Sequence, residues 1–202
     1  MKKNYINLID YGVGNIFSIS KSIEHLNFKC NIVKKPKDLI ENTKIILPGV
    51  GSFPDCKKLL QKKRLDKLII EEANKGVPLL GVCIGLQLLT KFSLEIKKTR
   101  GLGLIDGYVK KIISSKKNKV PNIGWRKVVF KKKYFSNKQN YFYFVHSYKL
   151  VLNDKTCQTG YINYGSNTIP ASIKKNNIFG CQFHPEKSGL DGIVFLKKFL
   201  NE

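Results

Sequence analysis

Acid, arginine, methionine and tryptophan are all scarce in this sequence. Asp and Glu total 14 residues against 37 Lys and Arg, a formal net charge of +23, with one Met and one Trp. Only Arg64, Arg100 and Arg126 are arginines; the remaining basic charge is lysine, denser at 110–119 and 131–133. Nucleic-acid readers pair such charge with Arg contacts to base edges or with aromatic stacking platforms. No such module is evident, so a solvated lysine surface is favoured over a nucleic-acid partner, and an acidic protein partner is a third reading. Long apolar runs are also missing. None approaches the ~18 residues of a spanning helix, so no membrane association is expected. Met1-Lys2-Lys3 leads into a segment broken by Asn4, Asn7 and Asp10, which argues against a secretory signal. The five cysteines (Cys30, Cys56, Cys83, Cys157, Cys181) are odd in number and fit neither a disulfide framework nor a zinc site. A reducing cytoplasm is the expected setting.

What is present reads as one domain spanning the 202 residues. Short apolar runs at 5–9, 30–33, 44–47 and 78–83 read as buried strands. Helical patterns follow at 16–26, 59–74 and 86–92. That alternation predicts an α/β fold with a parallel sheet core flanked by helices. The second half changes character. Segments 108–113, 125–130, 141–150, 156–164 and 169–173 are rich in aromatic and β-branched residues and predict extra antiparallel strands in an open mixed sheet. A buried strand at 178–183 and a helix at 193–200 close the chain.

Gly81-Val82-Cys83-Ile84-Gly85-Leu86-Gln87 carries the strongest local signal. An apolar strand runs into a helix there, and glycines flank the cysteine two residues away on each side. This is the pattern of a nucleophile elbow, a turn too sharp for bulky neighbours. The position at a helix N-terminus favours thiolate, and the Ile84 N–H would face a developing oxyanion. The alternative is a core cysteine packed between glycines.

The search for a base is short, because the chain has three histidines. His25 falls inside a predicted helix. His146 ends a predicted strand and could line a site. His184 follows the 178–183 strand in Gln182-Phe183-His184-Pro185-Glu186, at a strand end where sites gather. Glu186, two residues on, could reach back to set the imidazole tautomer. Cys83, His184 and Glu186 are therefore the candidate catalytic triad.

Gly-x-Cys-x-Gly with a distant His-Pro-Glu resembles the class I (triad) glutamine amidotransferases. Asp10-Tyr11-Gly12-Val13-Gly14-Asn15, Leu47-Pro48-Gly49-Val50-Gly51-Ser52-Phe53, Val145-His146-Ser147-Tyr148 and Gln182 to Ser188 look like the glutaminase subunits of imidazole glycerol phosphate synthases within them. The resemblance runs from residue 5 to the last helix. It implies a flavodoxin-like fold and hydrolysis of glutamine through a glutamyl thioester, with no cofactor and no metal. It implies an oxyanion hole from Ile84 and the Gly49-Val50-Gly51 segment, and glutamine binding by Gln87, Glu95, Ser147 and Tyr148. Glu95 would meet the substrate ammonium, the alternative being an ordinary solvated Glu at a helix end. It further implies a heterodimer with a (β/α)-barrel cyclase subunit that consumes the ammonia in histidine biosynthesis, with Asn15 and Trp125 as candidate interface residues. A helix cap for Asn15 and a core position for Trp125 are the alternatives.

The chain departs from the usual family pattern in one place that matters. Where Pro-His-Met-Gly-Trp-Asn is usual, it reads Pro121-Asn122-Ile123-Gly124-Trp125-Arg126. That leaves open a paralogous subunit that supplies ammonia for modified surface sugars. A cysteine hydrolase of similar fold and a basic nucleic-acid-binding protein are the readings from other classes.

Overall fold

A computed structural model describes residues 4–116, 118–131 and 140–202, with the side chain of Gln158 excepted. Part of the two lysine-dense stretches, at 117, 132 and 133, lies outside the described residues.

The first half alternates strand and helix: β1 (Tyr5–Ile9), α1 (Ile16–His25), β2 (Lys29–Val33), β3 (Ile45–Leu47), α2 (Phe53–Lys62), α3 (Leu65–Asn74), β4 (Leu79–Val82) and α4 (Ile84–Leu88). Then come β5 (Thr90–Ser93), β6 (Thr99–Arg100), β7 (Ile105–Lys111), β8 (Asn122–Lys127), β9 (Val129–Phe130), β10 (Tyr141–His146) and β11 (Tyr148–Leu152). The chain closes with β12 (Gln158–Tyr164), β13 (Asn167–Lys175), β14 (Ile178–Cys181) and α5 (Gly189–Leu200). The main sheet has the order β2-β1-β3-β4-β14-β13-β12-β9, parallel from β2 to β14 and antiparallel from there outward. A two-stranded sheet (β10-β8) and a four-stranded sheet (β11-β7-β5-β6) stand beside it. The predicted α/β mixed sheet with a parallel core is the observed architecture.

β4 and β14 are buried along their whole length, as parallel strands covered on both faces must be. They pair in register, Gly180 with Gly81 and Cys181 with Val82. Since β3, β4 and β14 run the same way, their C-terminal ends open on one edge of the sheet. The loops leaving that edge carry Pro48 to Gly51, Cys83, and Gln182 to Glu186.

Four segments differ clearly from their sequence expectation, one being the predicted 125–130 strand, which divides into β8 of the two-stranded sheet and β9 of the main sheet. The predicted 59–74 helix is two helices, broken where Arg64 takes φ +58°. α2 starts earlier, with Ser52 Oγ accepting from the Asp55 N–H and Pro54 in the first turn. The predicted 86–92 helix stops at Leu88. Its terminal carbonyls are taken from outside: Leu88 O accepts from Leu102 N–H and Leu89 O from Ile105 N–H, and the chain turns into β5. The predicted 141–150 strand breaks at Ser147, where the chain passes from one small sheet to the other.

Candidate active site

Cys83 sits between β4 and α4 at φ 54°, ψ −110°, a conformation that is costly for a residue with a side chain. The surroundings hold it there. Its N–H donates to Cys181 O at 2.8 Å. A Cβ on Gly81 would lie 2.7 Å from Leu86 Cα, and one on Gly85 would overlap the Leu47 carbonyl oxygen. Both flanking glycines are thus required by close backbone approach.

His184 and Glu186 stand opposite, after β14. His184 Nδ1 lies 2.9 Å from Glu186 Oε1, with both side chains buried. His184 Nε2 has no hydrogen-bond partner, and neither has Glu186 Oε2. The Cys83 sulfur is close enough to act on the imidazole electrostatically, without the geometry of a formed hydrogen bond; such bonds often tighten only when substrate is bound. Burial disfavours the imidazolium, but the Cys83 sulfur and the Glu186 carboxylate outweigh it and push His184 up to about 10.

A cavity of about 250 Å³ opens over this group. Of the residues expected at the site, Val50, Gly51, Cys83, Ile84, Gln87, Glu95, Ser147, Tyr148 and His184 line it, together with Pro121, Val145 and His146. Gly49 is not on the wall. It packs behind it, where a Cβ would meet Tyr11 Oη at 2.6 Å and Ile84 Cβ at 2.9 Å. Glu186 likewise stands behind His184.

The Pro48–Gly51 loop is pinned on both sides of one peptide. Tyr11 Oη donates to Pro48 O at 2.9 Å and Cys56 Sγ to Val50 O at 3.4 Å. Among the described residues, no hydrogen bond involves the Val50 N–H or the Gly49 carbonyl. Glu95 lies beyond β5 rather than on a helix, nearly buried, with Oε2 accepting from Phe53 N–H at 2.9 Å. Burial raises its pKa; the Phe53 N–H opposes this and Asp55 adds to it. Gln87 is buried, and its Oε1 has no partner.

Asn15 and Trp125 lie off the cavity. Asn15 occupies the N-cap position of α1 but its side chain makes no cap bond. Trp125 is 51% exposed, so it is not a core residue. It packs edge-on to Tyr143 at 6.1 Å, on the outward face of β8 and β10. Ile123, Tyr141 and Val145 are exposed beside it, giving an apolar face that adjoins the cavity mouth at Val145.

His146, named in the sequence only as able to line a site, does so. Gln182, given no role there, donates from Nε2 toward Cys83 Sγ at 3.7 Å. Its place directly after a buried strand, two residues before His184, was the available signal. Tyr11 lay in a family-like stretch without a role and Cys56 carried no signal, because their contacts form only once β1 and α2 pack on the loop. Among the described residues no group of three or more His, Cys, Asp or Glu is placed to hold a metal ion, and no helix is long and apolar enough to cross a membrane.

A thiol on a strained elbow, facing a buried imidazole backed by a carboxylate at the carboxyl edge of a parallel sheet, defines a triad cysteine enzyme, and comparison says of which class. The chain belongs to the class-I glutamine amidotransferase family, whose model matches residues 7–202. It is 41% identical over 201 residues to "Imidazole glycerol phosphate synthase subunit HisH" of Geobacillus sp. (strain WCH70), covering 96% of this chain and 95% of that one. The protein of the same name from Bacillus subtilis (strain 168) is 39% identical over 201 residues, covering 96% and 94%. Among solved structures, "Structure of PurLQS from Thermotoga maritima" matches with a TM-score of 0.75 at 20% identity, covering 100% of this chain and 99% of that one, a likeness of fold.

Proposed function

We propose that residues 1–202 form a single glutaminase domain, the ammonia-supplying subunit of an imidazole glycerol phosphate synthase. The observation that carries this reading is the placement of Cys83 and His184 on the wall of one cavity, with Glu186 bound to His184 from behind.

Glutamine enters with its carboxamide at Cys83, its amide held near Gln87 and its ammonium near Glu95. Cys83 attacks the carboxamide carbon as thiolate, forming the C–S bond and an oxyanion. Ile84, first residue of α4, has no intrahelical acceptor for its N–H and offers it to that oxyanion. The Val50 N–H joins it when the unbonded Gly49–Val50 peptide turns, Gly49 allowing the rotation. His184 gives its proton to the leaving nitrogen, the C–N bond breaks, and a glutamyl thioester remains. Water then attacks the thioester, His184 takes its proton, the C–S bond breaks to release Cys83 as thiolate beside the recharged imidazole, and the product leaves as glutamate once its carboxyl proton passes to solvent. Glu186 holds the imidazole tautomer throughout and supports its charged form. Because His184 is already held charged, its first duty is as acid rather than base.

Ammonia released to water would be protonated and lost, so the product needs an acceptor subunit. In this reading that partner is a (β/α)-barrel cyclase, bound as a heterodimer in the cytoplasm, which forms imidazole glycerol phosphate and an aminoimidazole carboxamide ribotide in histidine biosynthesis. The exposed apolar face of Ile123, Trp125, Tyr141 and Val145 beside the cavity mouth is the surface it would cover. Asn15, at the same carboxyl edge of the sheet, would join the contact. Relatives near 40% identity over almost the whole chain favour this pathway over surface-sugar synthesis.

The test is glutamate release by the purified chain, alone and with the cyclase subunit and its ribotide substrate. The reading expects slow release alone and strong stimulation in the complex. Equal rates in both would overturn the partner assignment.

A further inference from the structure

Asn122 and Arg126 stand at the outer end of a hydrogen-bond chain that finishes on the Cys83 sulfur. Arg126 Nε donates to Asn122 Oδ1 at 3.1 Å. The Asn122 amide is thereby oriented, and its Nδ2 lies 3.0 Å from His146 Nε2. An amide nitrogen can only donate, so Nε2 is the acceptor and the imidazole proton sits on Nδ1. Nδ1 donates to the Tyr148 carbonyl at 2.8 Å. That carbonyl also accepts from Gln87 Nε2 at 3.3 Å, and the same nitrogen donates to Gln182 Oε1 at 3.0 Å. Gln182 Nε2 then faces Cys83 Sγ at 3.7 Å. Each donor meets an acceptor, so each link sets the orientation of the next.

The outer end is itself anchored. Arg126 Nη1 and Nη2 donate to the carbonyls of Trp125 and Ile123 at 2.9 and 3.1 Å, and the guanidinium lies over the Tyr164 ring at 5.3 Å. Asn122, His146, Gln87 and Gln182 are buried, so a broken link strands a polar group away from water.

We propose that Asn122 and Arg126 are positioning residues for the substrate cavity: Arg126 orients the Asn122 amide, Asn122 selects the neutral Nδ1–H form of His146, and His146 fixes the Tyr148 carbonyl against which Gln87 and Gln182 are set. The inference rests on the glutaminase reading for its kinetic consequence, and its structural part stands apart from activity. The charge state agrees. Burial pulls His146 down to about 4; the Tyr148 carbonyl opposes this, and the His184 and Arg126 charges add to it. A cationic His146 could not accept from Asn122.

Two readouts on the full chain test this. The first is imidazole ¹⁵N NMR, in which wild type shows a neutral Nδ1–H ring for His146 at pH 7. Asn122→Asp keeps the shape of the side chain but removes the donor, and both ring nitrogens become protonated. The second is glutamine kinetics in the complex with the cyclase subunit. Asn122→Ala and Arg126→Leu each raise KM about tenfold with kcat changed less than about threefold, and the double variant is no worse than Asn122→Ala. An unaltered His146 ring in Asn122→Asp, an unmoved KM, or additive effects in the double variant would each overturn the proposal. If wild type released no glutamate, the functional reading would fall while the NMR result still decided the positioning claim.

Discussion

His184 Nδ1 lies 2.9 Å from Glu186 Oε1 with both side chains buried, and His184 shares the cavity wall with Cys83 while Glu186 stands behind it. The carboxylate therefore does more than aim the ring. It helps keep a proton on a buried imidazole that burial alone would strip.

Glu186→Gln removes one of the two supports of that proton. The His184 pKa then falls from about 10. Because His184 must be protonated to expel ammonia, activity is lost as pH rises through its pKa. The alkaline limb of the kcat/KM profile should move to lower pH in Glu186→Gln, with activity at pH 7 down by about 100-fold or more. An alkaline limb that stays in place contradicts the assignment. For stability the sign is the same: a raised pKa stabilises fully below the unfolded value of 6.5 and the contribution vanishes as pH climbs through about 10.

His146 gives the opposite slope. Its pKa is depressed to about 4 from 6.5, so the unfolded chain binds the extra proton first. Its contribution is complete above 6.5 and is lost as pH falls toward 4, up to about 3 kcal/mol in all. Urea midpoints between pH 7 and 4 should decline steeply in wild type and less steeply in His146→Gln. Parallel declines would show that His146 does not titrate on unfolding.

The glycines around the site separate function from fold. Gly49→Ala pushes the loop away from Tyr11 and Ile84, where the new Cβ would sit at 2.6 and 2.9 Å. It should lower kcat by about 100-fold while the protein stays folded. Gly85→Ala drives a methyl into the Leu47 carbonyl of the neighbouring strand. It should cost more than about 3 kcal/mol in thermal or urea unfolding. Two variants with equal kcat and equal stability would remove the distinction.

Much of this site was legible in the sequence because its parts are local. The Gly-x-Cys-x-Gly turn and the His184–Glu186 pair each span five residues or fewer, and strand-to-loop patterning placed both at strand ends. The parallel core was legible for the same reason, in apolar runs such as 78–83. The break at Arg64 and the early end of α4 were not. One depends on a left-handed residue with no glycine to mark it, and the other on carbonyls claimed by Leu102 and Ile105. Gly49 was expected on the oxyanion wall and stands behind it, because Tyr11 from β1 and Ile84 from α4 close on it from either side. The chain from Arg126 to Cys83 was out of reach, since it joins residues on β8, β10, β11, α4 and the loop after β14.

Glutamate release measured on wild type and Cys83→Ala, each bound to the cyclase subunit, bears most directly on the central claim. Wild type should release glutamate from glutamine, and Cys83→Ala should fall to background while binding the partner unchanged. Undiminished release by Cys83→Ala would contradict the account.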